Sequence, residues 1–161
     1  MDRKMTAEFD HLMTLALGQA HKARDRGEVP VGAVVVRGRE VVGRGFNQTI
    51  RRHDPSAHAE IVALRQAGGR LGNHRLAGCS LVVTLEPCVM CLGAAVQARV
   101  TRIVFGAFDP KSGAVSSIMR FPFAKMNHRP EVRGGVLSLE CGQILRDFFR
   151  SKRRIKAGKL R

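Results

Sequence analysis

No segment of this chain comes near the roughly 20 consecutive apolar residues that a membrane-spanning helix requires. Residues 12–17 form a short apolar stretch, and Thr14 interrupts it. His21-Lys22-Ala23-Arg24 follows, without a small-residue cleavage pattern, so neither a membrane partner nor a signal peptide is expected. Cysteine is scarce too. Four cysteines in 161 residues do not make a disulfide framework, and the pair Cys88-x-x-Cys91 points instead to metal or redox chemistry in a reducing compartment. The expected location is therefore cytoplasmic. Cys79 opens an apolar run and Cys141 lies just before Ile144 and Leu145, which is the setting of small buried hydrophobes. Acidic residues are few: 13 Asp and Glu face 28 Lys and Arg, a formal net charge of +15. That balance leaves the fold open, but it favours a polyanionic partner, because Lys and Arg contacts to phosphates release counterions.

What the chain does contain is one domain's worth of alternating elements. Residues 6–26 carry Phe9, Leu12, Met13, Ala16 and Leu17 at helical spacing, and Gly27 and Pro30 end that helix. Two β-branched runs, 31–37 and 39–46, meet at Gly38 as a hairpin. A polar loop over 47–55 leads to a helix over 58–66 that Gly68-Gly69 ends. A strand over 81–85, a helix over 88–99 and a strand over 102–106 follow. Residues 107–130 are irregular, with Asp109-Pro110, Gly113 and Pro122 breaking any long element. A last strand over 132–139 and a last helix over 140–156 complete the order. Alternation of this kind implies an α/β fold with a mixed sheet covered by helices on both faces. No repeat or linker divides residues 1–161; the core spans about 6–150, and 151–161 form a basic extension expected to fray.

His58-Ala59-Glu60 followed by Pro87-Cys88-Val89-Met90-Cys91 carries the chemistry. On a helix Cys88 and Cys91 share one face. Pro87 suits a helix start, whose free N–H groups favour thiolate. His58 follows Asp54-Pro55 and also begins a helix, so two helix starts can meet at one ion. Two thiolates and an imidazole balance the charge of Zn2+ and leave a fourth position for water, as catalytic zinc sites require. Glu60 need not be a ligand and is the candidate base. A mid-helix His58 and Glu60 would point apart, so the site requires first-turn geometry. His-x-Glu with a downstream Pro-Cys-x-x-Cys is the signature of zinc deaminases that act on nucleobases.

Further segments extend the likeness across nearly the whole chain. They are Val29-Pro30-Val31-Gly32-Ala33-Val34, Arg52-His53-Asp54-Pro55, Thr84-Leu85-Glu86-Pro87, Val104-Phe105-Gly106-Ala107, Met126-Asn127-His128-Arg129 and Asp147-Phe148-Phe149-Arg150. With these the chain resembles the bacterial tRNA-specific adenosine deaminases. The resemblance implies a cytidine deaminase-like three-layer α/β/α sandwich on a five-stranded mixed sheet, a homodimer, and one Zn2+ per subunit. It also implies conversion of adenosine to inosine at the wobble position of a tRNA anticodon stem-loop. By the same likeness His58, Cys88 and Cys91 are the metal ligands and Glu60 the proton shuttle. Asn47 contacts the base, and Asp109 contacts RNA near the target nucleotide. Asn127, His128, Arg129, Phe149 and Arg150 resemble RNA-facing positions. Phe148 and Phe149 are adjacent, so one packs inward and the other lies nearer the surface.

The chain departs from the family pattern at Gln48-Thr49-Ile50, at Phe108 where a basic residue is familiar, and over residues 120–125. Two rival functions remain at this stage. One is a deaminase of free bases or nucleosides, of guanine or cytidine type, which the metal motif alone allows. The other is a non-enzymatic RNA-binding subunit with structural zinc, which would have no need of Glu60.

Overall fold

The computed structural model describes residues 2–160. Helix α1 (Arg3–Asp25) starts at Asp2, whose carboxylate accepts the Lys4 N–H. Its inward face carries Phe9, Leu12, Met13, Ala16, Ala20 and Ala23. Gly27, at a φ of +74°, turns the chain after it. Strands β1 (Gly32–Arg37) and β2 (Glu40–Phe46) form the expected antiparallel hairpin. A single helical turn, α2 (Thr49–Arg52), occupies what reads as a polar loop. Then come α3 (Ala59–Leu71), β3 (Cys79–Leu85), α4 (Val89–Gln97) and β4 (Arg102–Ala107). A 3-10 turn over Phe123–Lys125, the short β5 (Glu131–Arg133) and α5 (Ser138–Gly158) close the described chain.

Among the described residues the sheet has five strands in the order β2-β1-β3-β4-β5. β1 pairs antiparallel with β2 and β3, whereas β3, β4 and β5 run parallel. The β3–α4–β4 unit is thus a crossover, and the mixed sheet is the expected one. Side chains alternate along β1, β3 and β4, whereas β2 carries a bulge at Val42. Ala33, Val35, Leu81, Val83, Ile103 and Phe105 face the core beneath α3 and α4. Val34, Val36, Val82 and Val104 face the other core, beneath α1 and Cys141 of α5. Helices on both faces of one sheet make the three-layer sandwich. Cys79 and Cys141 are both fully buried, as small hydrophobes.

Several boundaries differ from expectation, each for a local reason. α3 runs through Gly68-Gly69 and stops at Gly72, which takes the left-handed conformation at a φ of +63° and donates to the Gly68 carbonyl. A glycine inside a helix costs only about 1 kcal/mol, which the packed apolar face of α3 offsets. β5 has three residues, of which Val132 and Arg133 belong to the expected 132–139. Gly134 passes so close to Phe105 that a Cβ there would overlap the ring, and Gly135, at a φ of +87°, turns the chain out of the sheet. α5 then takes Ser138 and Leu139, which read as strand, and it continues into the basic extension as far as Gly158.

Glycines also decide how near the helices come. A Cβ on Gly32 would overlap the Ala16 carbonyl of α1. Cβ atoms on Gly43 and Gly45 would overlap the Ala63 and Ala59 carbonyls of α3. Ala59, Ala63 and Ala67 recur at one-turn spacing, so α3 lies on β2 almost backbone to backbone. Gly45→Ala is therefore expected to lower stability by about 1–3 kcal/mol, the usual cost of overpacking. Gly69→Ala, within α3 and with no atom within 4 Å of the added Cβ, is expected to raise it by about 0.5–1 kcal/mol. Thermal unfolding of the two variants checks both signs.

Candidate active site

His58 is the N-cap residue of α3, and Cys88 is the N-cap residue of α4. Neither side chain caps its own helix. Both turn instead toward a common point, which Cys91 reaches from the first turn of α4. The Nδ1 atom of His58 lies 3.6 Å from Cys88 Sγ and 3.5 Å from Cys91 Sγ. A tetrahedral zinc ion with Zn–S of about 2.3 Å and Zn–N of about 2.0–2.1 Å has N···S edges of about 3.5–3.6 Å. The donor atoms and their spacing therefore fit such an ion. Among the described residues the ligating group comprises these three side chains, all within 4.8 Å of one another. The fourth corner is left for a small molecule, and Cys79 sits in the core under the sheet.

The first-turn requirement is met by backbone conformation. His58 is extended (φ −69°, ψ 153°) and Glu60 is the second residue of the helix. Both line one cavity of about 280 Å³ together with Cys88, Asn47, Val31 and Asp109. Glu60 is 4% exposed. Burial pushes its carboxyl up to about 7, against the pull of His58, so that it can hold or release a proton near neutral pH. The Cys91–Cys88 hydrogen bond, with His58 adding to it, draws the Cys88 thiol down to about 4 and pushes Cys91 upward. Cys88 is thus a thiolate at neutral pH, at the positive end of a helix. The hydrogen bond that His58 donates to the Cys88 sulfur raises the imidazole in turn.

Asn47 stands at the end of β2, buried, with its N–H donated to the Val31 carbonyl. Asp109 accepts the Lys111 N–H and lines both the small cavity and a wider groove of about 800 Å³ beside it. Phe108, Lys111, Arg146, Phe149, Arg150 and Arg153 line that groove, so it combines aromatic faces with positive charge. Phe148 is buried and Phe149 exposed, and the Lys111 ammonium lies 6.0 Å from the Phe149 ring centre. Asn127, His128 and Arg129 line neither the cavity nor the groove. The Asn127 carbonyl accepts from Arg99, His128 Nε2 lies 2.7 Å from the Val100 carbonyl, and Arg129 donates to the Ala124 carbonyl. These contacts fasten the segment before β5 to the end of α4.

Sequence reasoning missed two buried carboxylates at the site. Glu28 accepts the N–H groups of Ile50 and Arg51, so it caps α2 from outside. Glu86 accepts from Asp109, Ser116 and Ser117. The available signal was a lone acid in each apolar, proline-bearing segment, Glu28-Val29-Pro30 and Leu85-Glu86-Pro87.

Comparison with known proteins agrees with this geometry. The MafB19-like deaminase family matches residues 7–153. A tRNA-specific adenosine deaminase of Haemophilus influenzae is 49% identical over 158 residues, covering 95% of this chain and 90% of its own. A solved structure from work on A-to-I editing by tRNA:A34 deaminases at the wobble position is 47% identical. It superposes with a TM-score of 0.80 over 84% of this chain and 99% of its own. A guanine deaminase from Nitrosomonas europaea is similar in fold at 25% identity, with a TM-score of 0.74 over 86% of this chain and 83% of its own. With the ligand triad, the buried Glu60 and these full-length likenesses in hand, the chain belongs to the MafB19-like deaminases and, within them, to the tRNA-specific adenosine deaminase family.

Proposed function

We propose that this protein hydrolytically deaminates adenosine to inosine at the wobble position of a tRNA anticodon, with one Zn2+ held by His58, Cys88 and Cys91. The carrying observation is that Glu60, His58 and Cys88 line one base-sized cavity, with Cys91 beside the other two donors, and that this cavity shares Asp109 and Ser112 with a basic, aromatic groove. Bound there, zinc supplies Lewis acidity that brings the ionisation of water near neutral pH. Glu60 takes a proton from the attacking water and delivers it to N1 of adenine as oxygen bonds to C6; it then carries the proton of the new C6 hydroxyl to the amino group, so that the C6–N bond breaks, ammonia leaves and the C6 carbonyl of inosine forms. Asn47 and Asp109 face the base and its sugar from opposite walls. Lys111, Arg146, Arg150 and Arg153 hold phosphates, and Phe149 offers a stacking face. A cavity this small admits a base only when it is unpaired and turned outward, which an anticodon loop allows. Asn127, His128 and Arg129 would meet RNA only beyond the groove. Such a substrate places the work in the cytoplasm.

We also propose a homodimer. Val89 and Met90 at the start of α4 and Ile118 and Met119 in the following loop are exposed. The loop is tied back to α4 by the Ala114 N–H on the Pro87 carbonyl. Exposed apolar side chains of this kind mark an interface. Ile118→Glu is expected to shift the protein from dimer to monomer in sedimentation equilibrium; a wild-type monomer at micromolar concentration would reject the assignment.

Metal analysis tests the ligands. His58→Ala and Cys88→Ala are expected to lose the single zinc, whereas Cys79→Ala and Cys141→Ala retain it. Loss of zinc from the latter pair alone would reject the triad. The reaction itself is tested by offering an anticodon stem-loop, free guanine and free cytidine. Inosine is expected in the stem-loop, with Glu60→Gln lowering turnover by about 10²–10⁴-fold at unchanged zinc content. Turnover confined to the free compounds would favour the small-molecule deaminase, and zinc-bound protein that binds tRNA without making inosine would favour a non-enzymatic subunit.

A further inference from the structure

We propose that Glu86 is a positioning residue for the substrate: its buried carboxylate clamps residues 109–117 and so sets the wall shared by the base cavity and the basic groove. The inference rests on the function proposed above and deepens it. Glu86 follows directly on β3 and donates its own N–H to the Ala107 carbonyl at the end of β4. Its side chain is 2% exposed. One oxygen accepts the N–H groups of Ser116 at 2.8 Å and Ser117 at 3.1 Å. The other accepts the Asp109 N–H at 3.0 Å and the Ser117 hydroxyl. A carboxylate offers about four acceptor sites and no donor, and here four donors from one loop meet them.

The loop is built around that carboxylate. No strand or long helix organises the backbone between β4 and the 3-10 turn. Gly113 passes so near that a Cβ would overlap the Glu86 carboxylate and stand 2.7 Å from the Asp109 carbonyl. The Gly113 N–H closes a turn on the Asp109 carbonyl at 3.0 Å. Asp109 and Ser112 then line the small cavity, while Phe108, Pro110 and Lys111 line the groove. Glu86 is outside the ligand group, and the proton steps use Glu60. A buried anion beside an RNA site would repel phosphate if bare; four donors neutralise it. The clamp therefore acts through Asp109 and its neighbours, on how the nucleotide is held.

The test uses zinc-loaded Glu86→Gln, Ser117→Ala and Gly113→Ala proteins. Amide hydrogen exchange is read at Asp109, Ser116 and Ser117, alongside zinc content and the KM and kcat for an anticodon stem-loop. Glu86→Gln sets an NH2 group against an N–H, and exchange at these amides is expected to quicken by about tenfold or more. KM is expected to rise about tenfold, with kcat held within about twofold. Ser117→Ala, which removes one donor of four and tests the clamp should Glu86→Gln fail to fold, is expected to raise KM about threefold. Gly113→Ala is expected to fall between them. Unchanged exchange in both Glu86→Gln and Ser117→Ala overturns the clamp. Faster exchange with unchanged KM overturns its role in positioning substrate, and loss of zinc in step with activity assigns Glu86 to the metal site instead. Should the wild-type protein make no inosine, the functional reading fails, and the stem-loop's Kd in the wild type and Ser117→Ala decides the clamp: an unchanged Kd overturns it.

Discussion

α3 lies so close to β2 that a methyl group on Gly43 or Gly45 would overlap its backbone. That close contact fixes the position of the helix to a fraction of an ångström, and with it the place where the helix begins. Its first residues are the ones proposed to carry the chemistry: His58 at the N-cap and Glu60 in the first turn. β3 and β4, hydrogen-bonded in parallel, fix the start of α4 in the same way, because Pro87 and Cys88 come two and three residues after the strand ends. The metal-sized gap between Nδ1 and the two Sγ atoms is therefore a consequence of sheet geometry.

This arrangement sacrifices some local stability. Helix N-caps favour Ser, Thr, Asp or Asn, whose side chains bind the free N–H groups of the first turn, and an N-cap without such a bond gives up about 1 kcal/mol. Here the N-caps of α3 and α4 are His58 and Cys88, with no side-chain cap at either. Both are withdrawn from their helices and turned to the site. The uncapped N–H groups in exchange keep the positive ends of the two dipoles aimed at thiolate and imidazole ligands. The burial of Glu60 works likewise: it costs stability to put a carboxyl where water is excluded, and that same exclusion brings its proton affinity into the useful range. The N-caps of α2 and α5, Gln48 and Leu137, also lack a side-chain bond, so what sets His58 and Cys88 apart is that their side chains meet at one point.

The chemistry was legible in the sequence because it depends on residue identity at short spacing. The pattern singled out His58, Glu60, Cys88 and Cys91, the fold brings the donor atoms of His58, Cys88 and Cys91 together, and the alternation of strands and helices announced the sandwich. What could not be read depends on contacts between distant segments. Gly68-Gly69 signals a stop, yet tertiary packing carries α3 through to Gly72. Residues 136–139 look like strand, but the turn at Gly135 hands the chain to α5. His128 and Arg129 look like free polar side chains, yet the fold sets each against a backbone carbonyl, and the Arg99 side chain holds the Asn127 carbonyl. Glu28 and Glu86 went unnoticed because their partners lie more than 20 residues away in the chain.

Those two carboxylates bear on a wider question, why one sandwich serves different bases. A guanine deaminase shares this fold at 25% identity, so sheet and helices do not choose the substrate. The choice must lie in the walls of the cavity. One wall is the end of β2 with Asn47 and Thr49, and Glu28 holds it by capping α2. The facing wall is the loop through Asp109 and Ser112, which gathers around Glu86. Each wall is irregular backbone, which the ladders of the sheet cannot stabilise, and each is ordered by a buried acceptor that takes several N–H groups at once. Irregular walls can be rebuilt without touching the ligands or the helices that present them. The buried carboxylates make such walls rigid enough to discriminate, so the fold separates the part that performs the reaction from the part that selects what enters it.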